Sequence, residues 1–260
     1  MTVRRKGPIP ESLPIAFDRI SPMVRNVRPH ICAVGLCLVA VLATASASPA
    51  GRESAVRLPA AGELLASRAA LRAAPSPHAR VVRIVNQFRP DSQFQIVLAV
   101  KVRRGSDGGW WYMLSLPGRP NGQRGWVRGD LVDLQRVQNR IVVHVRRRTI
   151  EVRRIADGKL LLRDVVAVGR PGAETPLGRN FYVQARFAPG DPFYGPFVLE
   201  TSAYSKLSDW PGGGLAGIHG TNRPDLLGQA VSHGCVRVSN AVDRALARLA
   251  PLGTPIDLLP

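Results

Sequence analysis

The run Ser232-His233-Gly234-Cys235-Val236-Arg237 sets a thiol beside an imidazole, and a second histidine stands sixteen residues before the thiol in Ile218-His219-Gly220-Thr221-Asn222. A thiol attacks only as its thiolate, and a nearby imidazole lowers its pKa and accepts its proton. The base must itself be held in one tautomer by a third group. His233 lies two residues before Cys235, on the same side of an extended segment, where the intervening backbone restricts its reach. His219 approaches through a loop, so both histidines are candidates. Gly220 and Gly234 permit close backbone approach and unusual φ values. Amides around Gly234 and Cys235 are candidates for an oxyanion hole, which acyl transfer requires. His219, His233 and Cys235 are also zinc-ligand types, but no fourth ligand has an evident position, and no metal is expected.

The remaining cysteines, Cys32 and Cys37, fall in an apolar N-terminal stretch. Arg25 and Arg28 precede Ile31 to Ala43, and Ala43-Thr44-Ala45 and Ala45-Ser46-Ala47 follow as small-residue cleavage patterns. The apolar run is shorter than the roughly 20 residues of a membrane span. Residues 1–47 are therefore expected to be a signal peptide, or else an anchor, with translation starting at Met1 or at Met23. The mature protein would be exported to the periplasm or cell-wall space, with Cys235 as its lone thiol and no disulfide partner.

Residues 48–60 are rich in Ala, Ser, Pro and Gly and read as a linker. From 61 to 136, short apolar runs such as Val81 to Val85, Phe94 to Val100 and Trp110 to Leu116 alternate with Gly/Pro/Asp turns, predicting a small β-barrel. Trp110, Trp111 and Trp126 are candidates for its core. A second domain, 138–260, opens with Ile141 to Val145 and Thr149 to Val152 around an Arg-rich turn and continues with strands near Leu160 to Val168, Phe181 to Val183 and Phe197 to Leu199. One helix is predicted, Ser239 to Leu249. Ser239 or Asn240 caps it, Pro251 and Gly253 follow its end, and Val242, Leu246 and Leu249 share a face. Ile256 to Leu259 forms a last strand. The predicted class is mainly β.

The formal charge is +18 over 260 residues, and the first 47 hold six basic and two acidic side chains, so about +14 lies beyond them. Such a charge favours anionic partners. The basic residues are spread along the chain, with no basic arm and no aromatic-interleaved basic helix, which argues against nucleic acid and leaves an anionic membrane surface or acidic cell-wall polymers as candidates.

The pattern His219-Gly220-Thr221-Asn222…Ser232-His233-Gly234-Cys235-Val236-Arg237, together with Thr175-Pro176-Leu177-Gly178 and Ala203-Tyr204-Ser205, resembles the L,D-transpeptidases of the bacterial cell wall across residues 138–260. The stretch Gly109-Trp110-Trp111-Tyr112 followed by Gly125-Trp126-Val127 resembles bacterial SH3-like domains. The first resemblance implies that Cys235 is the nucleophile and His219 the base, its ring oriented by a backbone carbonyl near Gly220. It also implies that Ser232 and His233 shape the site and that the amides of Gly234 and Cys235 hold the oxyanion. Arg237 would face the substrate, with Tyr204, Thr221 and Asn222 as further substrate contacts. No cofactor is implied. The implied reaction takes a tetrapeptide stem as donor, expels D-alanine and passes the acyl group to an amine, forming 3→3 cross-links. Water as acceptor would make the protein an L,D-carboxypeptidase, and a protein amine would make it an anchoring acyltransferase. A non-catalytic wall-binding role is a further alternative. Carbapenems acylate such cysteines in this family, so inhibition by them is expected.

Overall fold

In the computed structural model, residues 55–208 and 211–260 are described. The expected export segment, Cys32 and Cys37, and most of the expected linker lie outside them. The described residues form one compact unit.

The first seven strands are β1 (Ala60–Leu64), β2 (Arg68–Arg72), β3 (Val81–Asn86), β4 (Val97–Arg104), β5 (Trp110–Ser115), β6 (Arg124–Arg128) and β7 (Val132–Arg136). They form one antiparallel sheet in the order β3-β2-β6-β5-β4-β1-β7. Alternation sets the inward face: in β2, Ala69 and Leu71 are buried while Arg68 is exposed. The β4–β5 turn runs through Gly108 at φ +74°, where a side chain would be strained. Strands from one edge of the sheet to the other contribute to a single cluster, including Leu64, Leu71, Val97, Leu114, Val127 and Leu134, so the sheet curls around its own core. Of the three tryptophans, Trp111 and Trp126 are buried, while Trp110 is half-buried beneath the Arg104 guanidinium, 3.9 Å from its ring centroid.

The second half contains β8 (Asn139–His144), β9 (Thr149–Arg154), β10 (Leu160–Val165), β11 (Val168–Gly169), β12 (Gly178–Phe187), β13 (Val198–Tyr204), β14 (Leu215–His219), β15 (Ala230–Ser232), β16 (Val236–Arg237) and β17 (Pro255–Leu259). Eight of these make a mixed sheet in the order β10-β9-β8-β17-β12-β13-β14-β16, and β11 pairs with β15 alongside. The β14–β16, β8–β17 and β11–β15 pairs are parallel. Parallel neighbours need a crossover, and the one from β14 to β16 carries both Gly220-Thr221-Asn222 and Ser232 to Cys235.

The α-helix α1 (Asn240–Leu249) starts where its sequence predicts, with Ser239 Oγ accepting the Val242 N–H at 3.3 Å. Leu246 is fully buried against the sheet with Ile218, Val236 and Val238. Burial of a leucine of this kind stabilises by about 1.5–3 kcal/mol, so tertiary packing rather than length holds this short helix in place.

The two sheets meet along a seam. Tyr182 is wholly buried among Ala61, Ile96, Leu98 and Val137, and its hydroxyl donates to the Ile96 carbonyl at 3.0 Å. Arg89 reaches Glu200 at 2.7 Å, and Ser115 Oγ donates to the Asn180 carbonyl at 2.7 Å.

Candidate active site

β14 and β16 are in register, Ile218 opposite Val236 and His219 opposite Arg237. Ile218 and Val236 turn into the core, so His219 and Arg237 share the other face. Cys235, two residues before Arg237, belongs to that same face. It sits one strand across from His219 and two residues back, a Cα separation of roughly 8 Å from strand spacing and rise.

The nucleophile turn is held from within. Ser232 is buried, its Oγ donates to the Cys235 carbonyl at 2.6 Å, and the same oxygen accepts the Gly234 N–H at 3.2 Å. Gly234 has φ +118°, and a Cβ there would lie 2.8 Å from the Ser205 Cβ, so only glycine fits. The Thr175-Pro176-Leu177-Gly178 loop braces the turn from beside it. Thr175 Oγ1 accepts the Gly169 N–H at 2.9 Å, and the Arg170 N–H donates to the Ser232 carbonyl at 3.0 Å.

Cys235 is half-buried, and its Sγ accepts the Gly217 N–H at 3.4 Å. Burial pushes the thiol pKa up, while the Gly217 amide and the Arg237 charge pull it down without overcoming that push. His219 is 2 % exposed. Its Nδ1 lies 2.7 Å from the Gly220 carbonyl oxygen, which can only accept, so Nδ1 carries the proton and Nε2 is the basic nitrogen. Burial depresses the imidazole to about 4; Arg237 adds to the depression, and the Gly220 and Tyr194 carbonyls oppose it. At neutral pH the site therefore rests as a neutral thiol and a neutral imidazole.

Around the imidazole stand groups from the connection between β12 and β13. Phe193 and Tyr194 lie on a 3-10 turn, Pro192–Tyr194, capped by Asp191 Oδ1, which accepts the Phe193 N–H at 2.9 Å. Their ring centroids are 6.3 Å and 5.1 Å from that of His219. Gly195, at φ +70°, abuts Gly220 so closely that a Cβ would fall 2.5 Å from the Gly220 Cα. Asn240 Oδ1 accepts the Thr221 N–H at 2.9 Å. Fully buried Asp243 accepts the Phe197 N–H at 2.8 Å through Oδ2. The first turn of α1 thus fixes both segments that flank His219. An Asn and an Asp at the start of a predicted helix could have signalled this, but caps normally serve the helix itself.

Other expected site residues fall as follows. Arg237 is 9 % exposed with its Nε unpartnered, and its guanidinium lies 4.9 Å from the Phe193 ring centroid. His233 is half-buried beside the nucleophile turn, its pKa lowered by partial burial and by the charges of Arg170 and Arg237. Tyr204 lines a groove of ≈ 740 Å³ with Arg119, Asn121, Val145, Glu174 and Lys206. Asn222 is exposed. Thr221 is 3 % exposed; Asn240 Oδ1 accepts its N–H, and its Oγ1 accepts the Arg223 N–H at 3.0 Å. The Gly234 N–H donates to Ser232 Oγ in this structure. Among the described residues no three His, Cys, Asp or Glu side chains group as a metal site would need.

The L,D-transpeptidase catalytic domain family, YkuD, matches residues 138–258. YkuD of Bacillus licheniformis is 35% identical over 121 residues, 46% of this chain and 66% of its own length. YqjB of Bacillus subtilis is 32% identical over 123 residues, 44% of this chain and 68% of its own. Both names carry the L,D-transpeptidase designation. A solved L,D-transpeptidase from Mycobacterium smegmatis aligns with TM-score 0.39 and 14% identity, covering 63% of this chain and 99% of that one. The chain belongs to the L,D-transpeptidase family. It spans between half and about two thirds of the length of the curated YkuD relatives it matches.

Proposed function

We propose that the protein is an exported peptidoglycan L,D-transpeptidase in which Cys235 takes the acyl group from a tetrapeptide stem and His219 moves the proton. The observation that carries this reading is the placement of a half-buried thiol and a single-tautomer imidazole on one face of the β14–β16 pair. Because both groups rest neutral, proton transfer accompanies attack instead of preceding it. His219 Nε2 accepts the Sγ proton as sulfur bonds to the carbonyl carbon between the third stem residue and the terminal D-alanine. The tetrahedral oxyanion collapses, the C–N bond breaks, and the imidazolium returns the proton to the departing D-alanine amine. An amine of a second stem attacks the thioester, passes its proton to His219, and leaves as the 3→3 amide with the thiol restored. The low basicity of His219 suits this cycle, since an imidazolium that forms only in transit is a strong acid toward the leaving amine. The buried Arg237 Nε, without a hydrogen-bond partner, supports a substrate carboxylate in the site.

In the same reading, the N-terminal sheet is an SH3-like module that binds wall components, and the basic surface favours acidic wall polymers. Product analysis by mass spectrometry with a defined tetrapeptide donor, with and without a second stem as acceptor, tests the assignment. Expected are D-alanine release and a 3→3 dimer. Tripeptide alone in both arms would make the protein a carboxypeptidase, and absence of D-alanine release would refute acyl transfer.

A further inference from the structure

The β5–β6 connection belongs to the N-terminal sheet, yet its side chains bind the other one. Asn121 Nδ2 donates to the Tyr204 carbonyl at 2.7 Å, and Asn121 Oδ1 accepts the Tyr204 N–H at 3.0 Å. One side-chain amide thereby pairs with Tyr204 as a strand residue would. Two residues earlier, Arg119 Nη2 donates to the carbonyls of Ser205 at 2.8 Å and Leu207 at 3.3 Å, with its guanidinium 4.9 Å from the Tyr204 ring centroid. The connection is itself stiffened, since Gln123 Nε2 donates to the carbonyls of Arg119 at 2.7 Å and Pro120 at 3.2 Å.

The captured segment is the wall behind the nucleophile turn. Ser205 is buried, its N–H donates to the Gly214 carbonyl at 2.8 Å, and its Oγ accepts the Leu207 N–H at 3.3 Å. Its Cβ is the atom that would stand 2.8 Å from a side chain at Gly234. A glycine at φ +118° has many conformations open to it, so a wall at Ser205 limits the turn further than the Ser232 bonds do alone. That wall is held from the N-terminal sheet.

We propose that Arg119 and Asn121 are positioning residues for acyl transfer: they fix residues 204–207 against Gly234 and so fix the approach of Cys235 Sγ. This makes the N-terminal sheet a working part of the active site as well as a binding module. The proposal rests on the reading of Cys235 as nucleophile. Displacing a reacting atom by about 1 Å costs up to about 100-fold in rate, so loosening the wall acts on the rate of the chemical step.

The test uses the mature full-length protein and the variants Asn121→Ala, Asn121→Asp, Arg119→Ala and Arg119→Lys. Two quantities are followed: Cys235 acylation by meropenem across a concentration series, read by intact mass, and amide hydrogen exchange in residues 203–207 and 231–237. Asn121→Ala is expected to lower the limiting acylation rate by about tenfold or more with little change in half-saturation, and to speed exchange in both segments. Asn121→Asp keeps the acceptor for Tyr204 but loses the donor and falls between; Arg119→Lys recovers part of what Arg119→Ala loses. If the alanine variants do not fold, the Asp and Lys variants decide by the same measures. Acylation at the wild-type rate, or unchanged exchange in 231–237, overturns the proposal. A wild type that takes no adduct while exchange responds to the variants refutes the nucleophile reading and leaves the coupling between sheets standing.

Discussion

The Gly217 N–H donates to the Cys235 Sγ across the β14–β16 pair at 3.4 Å, and this contact does not offset the burial that raises the thiol pKa. A sulfur atom in this setting is held as a thiol until a base takes its proton. Alkylation of Cys235 by iodoacetamide is therefore expected to rise only at pH values above the range of an ordinary exposed cysteine, with no thiolate plateau near neutrality. A reagent-saturable plateau at acidic pH would show a resting thiolate–imidazolium pair and contradict the neutral ground state.

Ser232 joins both ends of the nucleophile turn through one hydroxyl. Ser232→Ala removes a donor to Cys235 and an acceptor for Gly234 in a buried site, a loss of about 1–3 kcal/mol in stability. Acylation by a carbapenem is expected to slow by about tenfold or more through misplacement of the sulfur. Chemical denaturation and intact-mass kinetics measure the two effects; an unchanged acylation rate would remove Ser232 from the account.

Much of this site was legible in the chain because its chemistry sits in two short runs, His219 to Asn222 and Ser232 to Arg237, whose glycines mark tight backbone. The helix was legible for the same local reason: Ser239, the apolar spacing and Pro251 all act within a few residues of one another. What escaped was long-range. Nothing near Asn121 announces Tyr204, 83 residues on, and nothing in Asp191 to Gly195 announces that two aromatic rings will stand beside His219. The burial of Thr221 escapes the sequence because an exposed and a buried hydroxyl look alike there; Asn240 Oδ1, nineteen residues on, accepts its amide. The amide of Gly234 escaped for a similar reason, since its partner is chosen by the turn's own geometry.

Asn240 provides a second positioning test. Asn240→Ala leaves the buried Thr221 N–H without its acceptor, costing about 1–3 kcal/mol and freeing the segment that carries the Gly220 carbonyl. Slower acylation is expected, with Asn240→Asp, which keeps an acceptor oxygen, recovering much of it. Equal rates for the Ala and Asp variants would show that the Thr221 bond does not matter to catalysis.

Buried His219 and Asp243 give stability opposite pH dependences. His219 is lowered from 6.5 to about 4, so between those values the unfolded chain holds a proton that the folded chain does not, and stability rises with pH. Burial raises Asp243 from 3.8 to about 6, against the Phe197 and Gly220 amides. There the folded chain holds the extra proton, and stability falls as pH rises. Asp243→Asn removes the falling contribution. Denaturation midpoints at about pH 4, 5 and 6 should climb more steeply for Asp243→Asn than for wild type; parallel slopes would contradict the raised Asp243.

The central claim is that Cys235 carries the acyl group and His219 moves its proton. Intact-mass analysis of the protein with a tetrapeptide donor, quenched early in acid, tests it most directly. The account predicts one adduct equal to the donor less D-alanine, mapped to Cys235, absent in Cys235→Ala, and reduced by orders of magnitude in His219→Ala while His233→Ala retains a measurable rate. An adduct that persists in Cys235→Ala, or full acylation of His219→Ala, would contradict it.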